Sequence, residues 1–349
     1  MLYYKFIMSV NLANVFTSTR KPETPRPKII FSTTNYSYLV DRMVAESSDS
    51  LTRGEIENKL FPDGEIYNRF ITDVNRKDVV LVGGTDTAHN LMQLFYLASG
   101  LVESGCHYLW IIIPFYGYST MERAVKSGEV ITAKCNAKML SSISKPGSGA
   151  EFILLDLHVE TICGFFENGW RAVHLQGRPI ILEMISTCIK ETSCSLCTVL
   201  GSTDAGRAKH IEALAGDLGI EPFVLLKHRS ESGQTKVTAT SMGCENSIEG
   251  KNVIIYDDMI RTGGSLIGAC HAYHAAGATS ISVITTHGVF AEDAIDKLKS
   301  TKKADGKSLI NSIWVTDSHP NAIKMATVHP DFIRLFSVST MLSHYLNTH

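Results

Sequence analysis

From residue 79 onward, short runs that are apolar on both faces alternate with segments of helix length, and that alternation leaves few folds open. Val79-Val80-Leu81-Val82 reads as a buried strand. A helical stretch follows from about Ala88 to Leu101, with Leu91, Leu94, Phe95 and Ala98 at helical spacing. Leu109 to Ile113 is the next strand, stopped by Pro114. Further strand-like runs are Phe152–Leu155, Cys197–Leu200, Phe223–Leu226, Val253–Tyr256, Ile281–Thr285 and Ile313–Val315, with an earlier one at Ile29–Phe31. A strand apolar on both faces needs helices on both sides of its sheet, which is the parallel arrangement of α/β proteins. The succession strand, turn, helix, strand occurs near 79–113 and again near 253–285, and 349 residues exceed one ordinary core. The expectation is α/β: two similar domains, each with a central, mainly parallel sheet flanked by helices, joined around 165–180.

Composition narrows the function classes. A formal net charge of −2 and a charged fraction of 19% give no sign of a polyanion-binding surface, so no nucleic-acid partner is expected. No apolar run approaches the roughly 20 residues of a membrane span, and no membrane association is expected. Eight cysteines are scattered through apolar surroundings. Cys194-Ser195-Leu196-Cys197 is the only CxxC and has no second pair at zinc-ligand spacing, so it reads as buried thiols in a reducing compartment. The first 22 residues contain no acid and carry Lys5, Arg20 and Lys21, a weak likeness to a mitochondrial presequence. A disordered extension over residues 1–27 is the simpler expectation, with Pro22, Pro25 and Pro27 marking a linker. The location expected is cytoplasmic, or organellar if residues 1–26 are a transit peptide.

In parallel α/β sheets, ligands bind beyond the carboxyl ends of the strands, so polar clusters that follow strands are where chemistry is sought. The strongest is Asp257-Asp258 after Val253–Tyr256, followed by Thr262-Gly263-Gly264-Ser265 and an Ala-rich helix ending at Gly277. The glycine turn opens a helix whose free amides and dipole favour phosphate, and Thr262 and Ser265 add hydroxyls. The carboxylates repel phosphate and suit vicinal ribose hydroxyls instead. Together they spell a sugar phosphate. The bland alternative is a strand-to-helix turn capped by Ser265 with solvated acids. Asp156-Leu157-His158 ends another strand, and spacing i, i+2 would turn both side chains to one metal–phosphate group. Thr203-Asp204-Ala205-Gly206 supplies a third acidic strand end. Lys227-His228-Arg229 precedes a polar, glycine-containing segment, Ser230 to Lys236, fit for a flap whose cations neutralise transferring phosphates. Phe61-Pro62-Asp63-Gly64-Glu65 is good turn chemistry with an aromatic that could also hold a purine. Taken singly, the His, the basic turn and the Pro-Asp-Gly turn are ordinary structural features.

In this order, these segments resemble the ribose-phosphate pyrophosphokinase (phosphoribosyl pyrophosphate synthetase) family from about residue 28 to the C-terminus. The resemblance implies two phosphoribosyltransferase-like domains, 28–170 and 171–336, with a helix over 337–349 that packs back on the first. It implies transfer of the pyrophosphoryl group of ATP to O1 of ribose 5-phosphate, with Mg²⁺ as cofactor. Lys227 and Arg229 fall on the family's catalytic loop. Phe61, Asp63, Glu65, Arg123 and His158 fall on its ATP contacts, Phe61 to Glu65 reaching a neighbouring subunit's site. Asp204, Asp257, Asp258, Arg261, Thr262, Gly263, Gly264 and Ser265 fall on the ribose 5-phosphate site, and His158 and Asp204 on metal positions. A homo-oligomer built from dimers, as a hexamer or a smaller ring, is implied. Pro114 to Tyr118 resembles the start of the ATP loop, and Thr286–Phe290 and Val315–Ser318 match further landmarks.

Three departures stand out. Ser119-Thr120-Met121-Glu122-Arg123 lacks an Arg that the family usually carries after Tyr118. Arg261 stands where many members have an acid, which suggests a tighter phosphate grip. Arg207 replaces a small residue. The loop, with Gly128-Glu129 and Trp314–Ser318, is nearer to the phosphate-independent second class known from plants, which implies broader nucleotide use. Two other readings are a non-catalytic, synthetase-associated regulatory subunit and a phosphoribosyltransferase. The retained Lys227, Arg229, His158, Asp204, Asp257 and Asp258 oppose the first, and the second leaves half the chain unexplained.

Overall fold

The computed structural model describes residues 27–47, 50–191, 197–229, 235–241 and 247–348. The expectations for residues 1–26, the CxxC from Cys194 to Leu196 and the segment 230–234 therefore lie outside the described residues.

The first sheet has strand order β2-β1-β5-β6-β7-β8, all parallel. Its strands are β1 (Lys28–Ser32), β2 (Leu51–Arg53), β5 (Asp78–Val82), β6 (Tyr108–Ile113), β7 (Ala150–Leu155) and β8 (Arg171–Leu175). An antiparallel hairpin, β3 (Ile56–Leu60) and β4 (Ile66–Phe70), forms a separate two-stranded sheet. The second sheet has order β11-β10-β9-β12-β13-β14-β15. Its strands are β9 (Thr198–Ser202), β10 (Glu221–Arg229), β11 (Thr235–Ser241), β12 (Asn252–Ile260), β13 (Ser280–Gly288), β14 (Ser312–Thr316) and β15 (Ile333–Phe336). Only β11 runs antiparallel, against β10. The α/β class with two mainly parallel sheets is as the apolar runs required.

Both faces of each sheet are covered, and the period-2 alternation of strand side chains divides the cores. Val79 and Leu81 join one cluster, with Leu94 and Leu97 of the helix α2 (Ala88–Glu103). Val80 and Val82 join the opposite one, with Leu39 and Met43 of α1 (Ser37–Glu46). In the second sheet, Val253 and Ile255 face one cluster while Ile254 and Tyr256 face the other.

The chain crosses between the units after Leu175. Strand β8 pairs with β7, so a division at 170/171 would cut it from its own sheet. The next helix, α4 (Arg178–Glu191), buries Ile181, Met184 and Ile185 against Leu200 and Ile254 of the second sheet. (Helix α3 is Thr132–Ser141.) At the other end, past α7 (Ala294–Ser300) and α8 (Pro320–Val328), α9 (Ser339–Thr348) returns to the first unit. Its Leu342, Tyr345 and Leu346 pack with Ile30, Leu39 and Val80, and Lys28 Nζ donates to Leu346 O at 2.8 Å.

In the second sheet the chain moves from β9 outward to β10 and β11, then back past β9 to β12. The order therefore reverses between β9 and β12. Such a switch point opens a crevice at the carboxyl ends of the two strands. Here those ends carry Ser202-Thr203-Asp204 and Asp257–Ile260.

Candidate active site

Strand β12 runs on to Ile260, with Asp257 opposite Thr285 and Met259 opposite His287 of β13. The two carboxylates thus lie within the strand and not just after it, which fixes their backbone in the ladder. Past the strand, Gly263 has φ +78°, a left-handed conformation that a glycine adopts without strain. A Cβ there would meet Leu298 Cγ at 3.2 Å. Gly263 then opens α6 (Gly264–Ala275) with no side-chain cap. Ser265 is exposed and does not cap the helix, so the bland alternative fails. The free amides of a helix's first turn are suited to an anion.

The diacid is densely partnered. Arg207 Nε lies 2.8 Å from Asp257 Oδ1, and its Nη2 lies 2.5 Å from Asp258 Oδ1. His158 Nδ1 donates to Asp258 Oδ2 at 2.6 Å, and Thr203 Oγ1 donates to Asp257 Oδ2 at 3.0 Å. The Asp258 amide donates to Asp257 Oδ1 at 3.0 Å. His158 comes from the end of β7 in the first sheet, Thr203 and Arg207 from the end of β9, and the acids from β12. Three strand ends from two sheets therefore converge on one point.

Electrostatics separate the two acids. Burial pushes Asp257 up to about 7, with the Asp258 charge adding to it and Arg207 opposing. Burial also acts to raise Asp258, but the His158 hydrogen bond and the Arg207 and His158 charges outweigh it and hold that carboxyl below the ordinary range. The hydrogen bond to Asp258 raises His158 against the opposing effect of burial, and Arg207 opposes it as well.

Asp156 and His158 do not point together as their spacing suggested. Asp156 has φ +43°, so the strand geometry that would align i and i+2 ends at Leu155. Its buried carboxylate instead ties the two units together. Oδ1 accepts from the Gly177 amide at 3.0 Å, and Oδ2 accepts from Tyr256 OH at 3.3 Å and from Thr286 Oγ1. The landmark motifs of the sequence lie on the same seam. His287 Nε2 meets Asp156 O at 3.0 Å and Nδ1 meets Ser318 Oγ at 2.8 Å. Tyr36 OH donates to Ser318 O at 3.1 Å, and Arg42 pairs with the fully buried Asp317 at 2.6 Å. Phe115, Tyr116, Ser119, His158, Met259 and His287 line a small gap along this seam, too narrow for a water molecule.

The other expected residues divide into near and far. Asp204 follows Thr203 into the crevice, and its exposed carboxylate accepts from the Gly206 amide at 2.9 Å. Arg261 is exposed and donates to Thr120 Oγ1 at 3.3 Å, bridging the two loops whose sequences depart from the pattern. Arg123 is 79% exposed and pairs with Glu122 at 3.4 Å. Glu122, not singled out from sequence, is 11% exposed and adds a negative field at His158. Phe61, Asp63 and Glu65 form the turn of the β3–β4 hairpin. Their contacts are local: the Phe61 ring with Tyr67 at 6.0 Å, and the Glu65 amide to Asp63 Oδ1 at 3.2 Å. Lys227 and Arg229 are described by their backbone. They lie in β10 opposite Val237 and Thr235, on a two-stranded ribbon and not in a loop beyond the strand. The run of Thr235, Val237, Thr238 and Thr240 favours that strand, a signal the sequence offered and the glycine-based reading passed over.

Mg²⁺ was expected at His158 and Asp204. Among the described residues no three His, Cys, Asp or Glu groups converge as a metal site. The donor set fits an ion that arrives on phosphates, since Mg²⁺ typically keeps waters and takes one or two carboxylates. Asp204 offers an exposed carboxylate, and His158 has its second ring nitrogen left beyond the Asp258 bond. No helix among the described residues is long and apolar enough to cross a membrane.

Known proteins carry the same organisation. A family profile described as the N-terminal domain of ribose phosphate pyrophosphokinase matches residues 28–143, and one described as phosphoribosyl synthetase-associated domain matches residues 233–347. A ribose-phosphate pyrophosphokinase of Methanothermobacter thermautotrophicus is 32% identical over 249 residues, 70% of this chain and 80% of that protein. That of Vibrio parahaemolyticus is 30% identical over 298 residues, 84% of this chain and 87% of that protein. The fold is that of a phosphoribosylpyrophosphate synthetase from Mycobacterium smegmatis, with TM-score 0.76 at 22% identity over 91% of this chain and 97% of that one. With identity at this level across most of its relatives' length, the chain belongs to the ribose-phosphate pyrophosphokinase family.

Proposed function

We propose that the chain transfers the pyrophosphoryl group of ATP to O1 of ribose 5-phosphate, giving phosphoribosyl pyrophosphate and AMP. The observation that carries this reading is the meeting of His158 of the first unit with Asp258 of the second, at 2.6 Å, on the strand that leads into an uncapped helix end. It supports a reading in which a donor-side group faces a sugar-phosphate cradle. In this reading Asp257 and Asp258 accept from the ribose hydroxyls. The first turn of α6, with Thr262, Gly263, Gly264 and Ser265, holds the 5-phosphate. Arg261 guards the gap toward Thr120. The O1 oxygen forms a bond to the β-phosphorus as the bond from that phosphorus to the α,β-bridging oxygen breaks. The bridging oxygen leaves with AMP, and the O1 proton passes to solvent.

Positioning and charge neutralisation do most of the work in such transfers. Bound Mg²⁺ supplies charge neutralisation on the triphosphate, with Asp204 and His158 as the residues to hold it. Lys227 and Arg229, toward the turn end of the β10–β11 ribbon, close over the transferring group. Phe61, Asp63 and Glu65 serve the adenine of a neighbouring subunit. Leu60 at 63% and Phe61 at 42% exposure leave the hairpin tip open for that contact. A homo-oligomer of at least two chains follows, and the loop sequence favours donors broader than ATP alone. The described cysteines are free thiols, which fits a reducing cytoplasm.

The test is Lys227→Ala, assayed for AMP and phosphoribosyl pyrophosphate with ATP, ribose 5-phosphate and Mg²⁺. Turnover falls by about 10³-fold or more, the scale on which a transition-state cation acts, while nucleotide affinity holds. Near-normal turnover would remove the ribbon from the mechanism.

A further inference from the structure

We propose that Arg207 is a positioning residue whose guanidinium serves as the resident cation of the Asp257–Asp258 pair, so that the acceptor site takes its sugar diol without a divalent ion on those acids. The inference rests on the reading of the diacid as the ribose 5-phosphate site. It goes beyond that reading by assigning the counter-charge to this chain itself.

Arg207 ends the short turn Ala205–Arg207, just before α5 (Ala208–Leu218), and its side chain is 20% exposed. One planar guanidinium addresses both acids, through Nε to Asp257 and Nη2 to Asp258. A lysine's point charge has no such fork. All four carboxylate oxygens already have a donor. Arg207 and the Asp258 amide serve Asp257 Oδ1, and Thr203 serves its Oδ2. Arg207 serves Asp258 Oδ1 and His158 its Oδ2. An ionised carboxylate has about four lone-pair sites, so each acid can still accept from a neutral hydroxyl. A divalent cation meets a different situation, because it must share those oxygens with a guanidinium of like charge in a buried setting. The same grip aims the acids. Asp257 and Asp258 are successive residues of a strand, whose side chains diverge unless a third group draws them together.

The experiment is calorimetric titration of the full chain with ribose 5-phosphate, once in EDTA and once in Mg²⁺, with Arg207→Met and Arg207→Lys beside it. The wild type binds with the same affinity in both buffers. Arg207→Met weakens at least about tenfold in EDTA, as expected when buried carboxylates lose their counter-ion, and recovers in Mg²⁺. Arg207→Lys falls between. Mn²⁺ alone, followed by electron paramagnetic resonance, binds one more ion to Arg207→Met than to the wild type. Should the Met variant be too unstable to titrate, Mg²⁺ raises its melting temperature and leaves that of the wild type unchanged. Wild-type binding that requires Mg²⁺, or a Met variant indifferent to metal in titration and melting, overturns the proposal and leaves the site reading standing. Failure of every form to bind ribose 5-phosphate in either buffer overturns the site reading itself, and this inference with it.

Discussion

Asp257 and Asp258 are neighbours in the chain and shift in opposite directions, because burial and mutual repulsion dominate one while His158 and Arg207 hold the other ionised. The raised Asp257 has a stability consequence whose sign is fixed by linkage. Between the ordinary carboxylate pKa of 3.8 and about 7, the folded state keeps a proton that the unfolded chain has lost. Its contribution to stability is therefore full below the lower value and is lost as pH rises through about 7. Asp257→Asn removes that loss, so melting of variant and wild type at pH 5 and pH 7.5 should shift in the variant's favour at the higher pH. An unchanged difference would contradict the assignment. Asp156 gives a second test. Asp156→Ala leaves the Gly177 amide, Tyr256 OH and Thr286 Oγ1 without their acceptor, at a cost of about 3 kcal/mol in chemical unfolding. A cost under about 0.5 kcal/mol, the surface range, would remove Asp156 from the seam. At this scale the sequence showed which residue types gather at strand ends. It did not show their partners. Arg207 read only as an unusual neighbour of Gly206, since nothing local indicates that a side chain on the β9 end reaches β12. Asp156 and His158 were misaligned because the left-handed turn at Asp156 has no signature in a residue that is not glycine.

Nine strands were legible to within a few residues, because both faces of each sheet are buried and the apolar runs report that directly, whereas β2, β3, β4, β8, β11 and β15 and most helices were not read from the sequence. The errors lie where polar residues continue a strand. β12 carries Asp257 and Asp258 inside its ladder, and β10 carries Lys227 and Arg229. Polarity at those positions ended the apolar run early. The β3–β4 hairpin illustrates the converse. It exposes Leu60 and Phe61, which costs the isolated chain burial and suits a partner. Phe61→Ala should leave the melting temperature of the chain nearly unchanged, as exposed substitutions do, while raising the KM for ATP. Loss of stability with unaltered KM would make the hairpin structural. The tight packing at the crossing predicts another outcome. A Cβ on Gly177 would meet Asp156 Cγ at 2.9 Å, so Gly177→Ala should destabilise by about 1–3 kcal/mol, as overpacking does.

Over the whole molecule, two sheets are locked by a buried polar seam and by a C-terminal helix returned to the first sheet. Composition and strand count gave the two α/β units, and the return of the helix followed only from the family resemblance. Removing residues 339–349 would expose the ground covered by Leu342, Tyr345 and Leu346. With about 1.5–3 kcal/mol for each large apolar side chain, the loss is comparable to the whole stability of a domain. The truncated chain should fail to accumulate as folded protein, and melting within a few degrees of the full chain would refute the packing argument. The seam brings groups of both sheets together, and the proposed reaction moves two phosphates as one unit. ATP labelled with ¹⁸O at the α,β-bridging position, incubated with the protein, Mg²⁺ and ribose 5-phosphate, tests that claim most directly when ³¹P NMR follows the products. AMP should carry the bridging label, and the diphosphoryl group on ribose C1 should lack it. Release of ADP, or of free phosphate with no sugar diphosphate formed, would contradict it.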